Sequence, residues 1–200
     1  MNSHETLELA KPAVEYASGY LAMIDEYSEA GEEYVYNNIA LAREDFAQFV
    51  HELEEEAEGI GLPPGVPAKQ SYLLLKDGRH IIGEIRFRPH LTPPYERFFG
   101  HIGYNIRPAQ RGHGYVTRLL ALLLDEARKF HLPGVSLAVE PENLASIRVI
   151  EKNGGKLLQV IKDPVKAEVI VTDDDELQLI DAVQTGLVWD LYWIDLASTM

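Results

Sequence analysis

Apolar positions recur along this chain with two different spacings, and the changes between them mark out its elements. Leu7-Glu-Leu9 alternates as a short strand, whereas residues 14–29, beyond Pro12, carry a helical period. A second helical pattern spans residues 43–58, and the proline- and glycine-rich stretch 59–67 predicts a loop. Residues 71–75 and 80–88 are apolar runs separated by Lys76-Asp-Gly-Arg79, and Asp77-Gly78 between them is a hairpin signal. Residues 90–97, with Pro93-Pro94, lead to a strand over 98–106. Val116, Leu120, Leu123, Ala127 and Phe130 then step by four and three, the stripe of a helix packed on a core, which Pro133-Gly134 stops. A buried strand at 135–139, a helix at 144–153 and a strand at 156–161 follow. Residues 162–186 read as an irregular or hairpin excursion, and 187–196 as the last strand. No repeat or low-complexity tract is present.

Two hundred residues suit a single domain over 1–200 with one core. No apolar run approaches the ~18 residues a bilayer crossing needs, and the first residues lack a signal-peptide pattern, so a cytoplasmic chain without a membrane partner is expected. The absence of cysteine removes disulfides, thiolate metal sites and a cysteine nucleophile. A net charge of −14 opposes nucleic acid as a partner. It either draws in a cationic acceptor through the field or serves solubility alone. Its main clusters, 52–58 and 173–176, read as a solvated helix face and a turn, without metal-ligand spacing, and no metal is expected.

Chemistry concentrates between Ile102 and Leu120. A strand pattern there runs into Arg107-Pro108, turns through Arg111-Gly-His-Gly114 and continues as the amphipathic helix. A glycine-rich turn at a helix start leaves backbone N–H groups unpaired, at the end where the helix dipole favours anions. Gly112 and Gly114 allow close approach and positive φ, and Arg107, Arg111 and Arg118 add charge. Such a turn suits a phosphate or pyrophosphate. A Walker loop is absent, and in a dinucleotide fingerprint the third glycine would fall on Thr117.

The segment Ala109-Gln-Arg-Gly-His-Gly114 resembles the pyrophosphate turn of the GNAT (N-acetyltransferase) superfamily, Gln/Arg-x-x-Gly-x-Gly/Ala, with Ala109 at its first position. Downstream, residues 140–155, including Asn143 and Gly154, are similar to the family's strand–Asn–short-helix–Gly unit, and the likeness runs from about Gln70 to Lys162. The resemblance implies an α/β (α+β) fold: a mixed, mostly antiparallel sheet of about six to seven strands flanked by helices, with a splayed parallel pair ending near Arg107 and Glu140. It implies acetyl-CoA as the acetyl donor. The backbone of Tyr104, Asn105 and Ile106, the turn residues Arg111, Gly112, His113, Gly114 and Tyr115, and Asn143 would hold it. It further implies direct transfer to an amine of a small molecule or protein, and pairing into a homodimer through strand edges, with 162–186 as a place for exchanged contacts.

Proton transfer is less defined by the residues. Glu84 and His101, on strands expected to face the acceptor, are the candidate bases; either could equally be a solvent-facing strand residue or a satisfied core histidine. Glu140 is a third. Where many family members place a tyrosine as acid, seven residues after the asparagine, this chain has Ile150, leaving Tyr104 or Tyr192 for that role. Two functions remain open at this point: an N-acetyltransferase, or a non-catalytic acyl-CoA-binding or sensing protein with a degenerate site.

Overall fold

The computed structural model describes residues 5–34, 36–162, 168–171, 177–180 and 188–197. Strand β1 (Leu7–Ala10) leads through a short 3-10 turn (Val14–Tyr16) into α1 (Ala17–Glu29). The sequence predicts one helix over 43–58; the chain instead forms α2 (Ile39–Glu44) and α3 (Phe46–Glu58). Asp45 separates them because its backbone is extended and its carboxylate accepts from the N–H groups of Ala47 and Gln48, both at 3.0 Å. Gly59, left-handed at φ 80°, ends α3.

Strands β2 (Gln70–Lys76) and β3 (His80–Phe87) form the expected hairpin. The stretch 90–97 is more than a connection: Pro93 and Pro94 open a helix, α4 (Pro93–Phe98), which takes up the residue expected to begin the next strand. Strand β4 therefore starts later, at Ile102–Ile106. Next come α5 (Tyr115–Ala127), β5 (Gly134–Val139), α6 (Leu144–Lys152) and β6 (Lys156–Lys162). Within the excursion, β7 (Glu168–Val171) and β8 (Leu177–Ile180) pair antiparallel; the rest of that stretch lies outside the described residues. β9 (Val188–Asp195) closes the fold.

Two antiparallel sheets carry the seven main strands, in the orders β1-β2-β3-β4 and β5-β9-β6. Side chains alternate across β2, so Leu73 and Leu75 pack beneath α1 and α3 while Tyr72 and Leu74 pack toward α5. The first sheet is thus covered by helices on both faces. The sheets meet at one isolated antiparallel bridge, Gly100 to Leu137, next to which the His101 N–H donates to Ser136 O at 2.8 Å. A Cβ on Gly100 would lie 2.5 Å from the Ser136 carbonyl oxygen, so only glycine allows this approach. Past the bridge no ladder pairs β4 with β5. Ile102–Tyr104 and Leu137–Glu140 instead line one cleft between the two sheets.

Candidate functional site

The turn after β4 is shaped by its two glycines. Residues Pro108–Gln110 make a 3-10 turn, Gly112 and Gly114 have φ of 79° and 80°, and Gly114 is the N-cap of α5 without a side-chain cap. A Cβ built on either glycine would meet nothing within 4 Å, so open space lies over the backbone there. The first N–H groups of α5 face that end of the helix, an arrangement that suits an anion.

Of the arginines nearby, Arg107 is paired with Glu26 at 2.7 Å and Arg111 with Glu32 at 2.5 Å. Each pairing holds its glutamate below the usual carboxylate range. His113 is exposed and stacked on Tyr115, whose hydroxyl turns inward to Lys76 and Glu5.

A free strand edge joins this turn to the interior. The Arg107 N–H donates to Ile82 O, fixing which groups of β4 face β3; by alternation the N–H and C=O of Tyr104 and Ile106 face the opposite way, toward the cleft. The Ile106 carbonyl is taken by the Tyr27 hydroxyl at 2.8 Å and Arg111 Nε at 3.3 Å. The Ile106 N–H and both backbone groups of Tyr104 have no partner among the described residues.

The cleft has two connected parts, one of about 410 Å³ beside the turn and one of about 380 Å³ between β4 and β5. Tyr36, Tyr104, Asn143 and Ser146 line both. Asn143 caps α6, its Oδ1 accepting from the Ser146 N–H at 3.0 Å, which leaves its amide Nδ2 to donate. The Tyr104 hydroxyl, beside Ser146, is buried without a hydrogen-bond partner among the described residues, and burial raises its pKa. Ile150 sits in the core and lines the inner part.

Glu84 and His101 stand apart from one another. Glu84 is 3 % exposed and ion-paired with Arg86; it also accepts from the Tyr20 hydroxyl at 3.2 Å and the Asn37 amide at 3.4 Å. Arg86 donates onward to Asn105, and Asn105 to the Tyr27 hydroxyl that caps Ile106, so the Asn105 side chain serves this network. It is Arg86, not Glu84, that lines the cleft.

His101 lines a different cavity, with Pro89, His90 and Trp193. Its Nδ1 accepts from the Ser136 N–H at 3.0 Å, which puts the ring proton on Nε2. Burial, then Arg88 and His90, push its pKa down to about 4. Tyr192 is packed in the main core, and Glu140 is exposed at the mouth of the inner cleft.

The sequence did not point to Tyr36, Arg86, Arg88, Ser146 or Trp189, all of which line the inner cleft. Glu84 and Arg86 on β3 and Arg88 just past its end fall two apart, a spacing that puts charges on one side of an extended chain, and this was the signal available for the two arginines.

The family described as "Acetyltransferase (GNAT) domain" matches residues 27–156. No curated protein matches the chain in sequence. Among solved structures, the chain is similar to the microcin C7 self-immunity acetyltransferase MccE in complex with acetyl-CoA and AMP, at 16 % identity over 94 % of this chain and 92 % of that one, with a TM-score of 0.62. RimJ from Mycobacterium smegmatis, in complex with CoA-disulfide, is similar at 17 % identity over 94 % and 81 %, with a TM-score of 0.64. A spermidine N-acetyltransferase SpeG chimera from Vibrio cholerae and hSSAT is similar at 13 % identity over 96 % of each chain, with a TM-score of 0.58. Among the described residues no helix is long and apolar enough to cross a membrane, and no group of side chains could hold a metal ion.

Proposed function

The chain belongs to the GNAT acetyltransferase family, and from that premise we propose that it transfers an acetyl group from acetyl-CoA to a primary amine by direct attack in a ternary complex. The observation that carries this reading is the free edge of β4, which runs from the phosphate-sized turn at Gly112 and Gly114 into the inner cleft. Two of the similar structures hold acetyl-CoA or a CoA disulfide, which supports the same donor here, and a third is a spermidine N-acetyltransferase, which supports an amine acceptor.

In this reading the donor's pyrophosphate lies on the N–H groups at the start of α5, with Arg111 beside it. Its pantetheine arm adds to β4 as an extra strand, bonding the Tyr104 backbone and the Ile106 N–H, with Asn143 Nδ2 on an amide oxygen. Glu140 takes the first proton from the acceptor ammonium, directly or through water, and passes it to solvent. The amine lone pair then attacks the thioester carbonyl carbon, and the resulting oxyanion is held by a backbone N–H near Tyr104. As the C–S bond breaks, the leaving thiolate gains the Tyr104 hydroxyl proton, while nitrogen gives its second proton through water to Glu140 and on to solvent, from which the Tyr104 phenolate is reprotonated. Glu84 acts behind the cleft by holding Arg86 in place.

Calorimetric titration with acetyl-CoA, using NAD as the control nucleotide, tests the donor site, and amine-dependent release of CoA thiol tests transfer. Saturable binding of acetyl-CoA alone, followed by amine-stimulated thiol release, is expected. Binding of NAD alone overturns the reading, and acetyl-CoA binding without thiol release for any amine reduces the protein to a sensor.

A further inference from the structure

Two arginines and an indole N–H line the inner cleft, those of Arg86, Arg88 and Trp189. Glu84 and Arg86 share one face of β3 and Arg88 follows one residue past its end; Glu84 neutralises Arg86, which also lies under the Tyr36 ring at 4.0 Å. Arg88 has no carboxylate within ion-pair distance among the described residues; its guanidinium stacks over Tyr95 at 5.1 Å. Burial and the neighbouring Arg86 lower its pKa only to about 10, so it is a cation at neutral pH. In the same cleft the indole Nε1–H of Trp189 is buried without a partner among the described residues. A half-buried guanidinium and an orphan N–H lining one cavity are costly unless an anion answers both.

The charges are also ordered along the cleft. The Arg88 N–H bonds the His101 carbonyl, next to the Gly100–Leu137 bridge where the sheets are tied together. Glu140 lies at the opposite end, beyond Val139, where β4 and β5 have parted and Tyr104 turns its backbone to the donor. The volume of about 380 Å³ is at the small end of ligand sites.

Building on the acetyl-transfer reading above, we propose that the acceptor is a small amino acid or similar carboxylate-bearing amine. Its carboxylate is held by the Arg88 guanidinium and the Trp189 indole N–H, and its amine lies between Glu140 and Tyr104. The net charge of −14 favours a cationic acceptor only from a distance; at the Arg88 end of the cleft the guanidinium has no ion-pair partner among the described residues.

The test compares the proteinogenic amino acids, their carboxamides and spermidine as acceptors for thiol release, with the wild type, Arg88→Gln and Arg88→Lys. Acetyl-CoA calorimetry on each variant checks that the donor site is intact. Amino acids are expected to exceed their carboxamides about tenfold in kcat/KM, Arg88→Gln to erase that preference, and Arg88→Lys to keep part of it. A preference for carboxamides or spermidine, an acid preference that survives Arg88→Gln, or acetyl-CoA binding with no amino acid turned over would each overturn the proposal. Tryptophan fluorescence during amino-acid titration separates the two layers. Quenching that depends on Arg88 without acetyl-CoA binding keeps the anion site and removes the transferase reading; no quenching and no turnover removes the anion site.

Discussion

Arg111 and Glu32 meet in a two-pronged ion pair at the phosphate turn, Nη1 to Oε1 at 2.5 Å and Nη2 to Oε2 at 2.7 Å. The guanidinium expected to meet a phosphate is therefore already held by a carboxylate on the segment after α1, and a bound phosphate must compete for it. The pair is 45 and 42 % exposed at its side chains, so it adds little to folding. Glu32→Gln is expected to tighten acetyl-CoA binding about threefold, an effect that fades at high salt, with an unchanged melting temperature. Weaker binding in calorimetry would show that Glu32 positions Arg111 rather than competing for it.

Gly114 makes a sharper case. Its φ of 80° strains any L-residue, and the open space beside it is where a side chain would project. Gly114→Asp places a carboxylate there, and acetyl-CoA affinity should fall about a hundredfold, while strain costs folding only about 1–2 kcal/mol. If calorimetry shows binding preserved in a folded variant, the pyrophosphate lies elsewhere.

The turn, its helix and the strand before it were legible in the sequence because each rests on local rules: glycine for positive φ, a period of 3.6, and a strand running into Pro108. The helix boundaries at Asp45 and Pro93 were not read, although both carry local signals, an N-cap aspartate and a proline pair at a helix start. The inner cleft was harder for a different reason. Tyr36, Arg88 and Trp189 come from three distant parts of the chain and meet only because the two sheets touch at Gly100 and then part. Glu84 shows the limit from the other side, since the sequence places it on a strand but not behind Arg86.

Glu84 is the member of its network with most to lose. Glu84→Gln leaves Arg86 as a buried cation without its counter-charge and weakens the bond from Tyr20, costing about 3 kcal/mol, roughly 10 °C in Tm. Thiol release per folded molecule, measured well below the melting range, should fall far less than the hundredfold or more typical of a lost general base. A loss of that size with an unchanged Tm would make Glu84 the base.

In the proposed reaction Tyr104 divides binding from chemistry within one residue, because its backbone faces the cleft while its hydroxyl has no hydrogen-bond partner among the described residues. Tyr104→Phe should leave the acetyl-CoA Kd unchanged and lower kcat about a hundredfold. An unchanged kcat would assign protonation of the thiolate to water.

His101 sets a pH dependence of folding that is separate from catalysis. Its pKa is about 4 in the folded protein, because burial and the nearby Arg88 and His90 disfavour the imidazolium, against about 6.5 in an unfolded chain. Above pH 6.5 the ring is neutral in both states and contributes no pH dependence. Between 6.5 and 4 the unfolded chain binds a proton that the folded one refuses, so stability falls as pH drops through that window; below 4 both states are protonated and the loss is complete. Allowing for the ring's partial exposure, this amounts to about 2 kcal/mol. Urea midpoints at pH 7.5 and 5.0 should therefore differ less for His101→Gln than for the wild type, even if the variant is weaker at both for want of the full Ser136 contact. The carboxylates titrate alike in both proteins, so the difference between the two shifts isolates the imidazole. Equal shifts would mean that His101 accepts its proton in the folded state as readily as in solution, and that its place beside Ser136 is open to water.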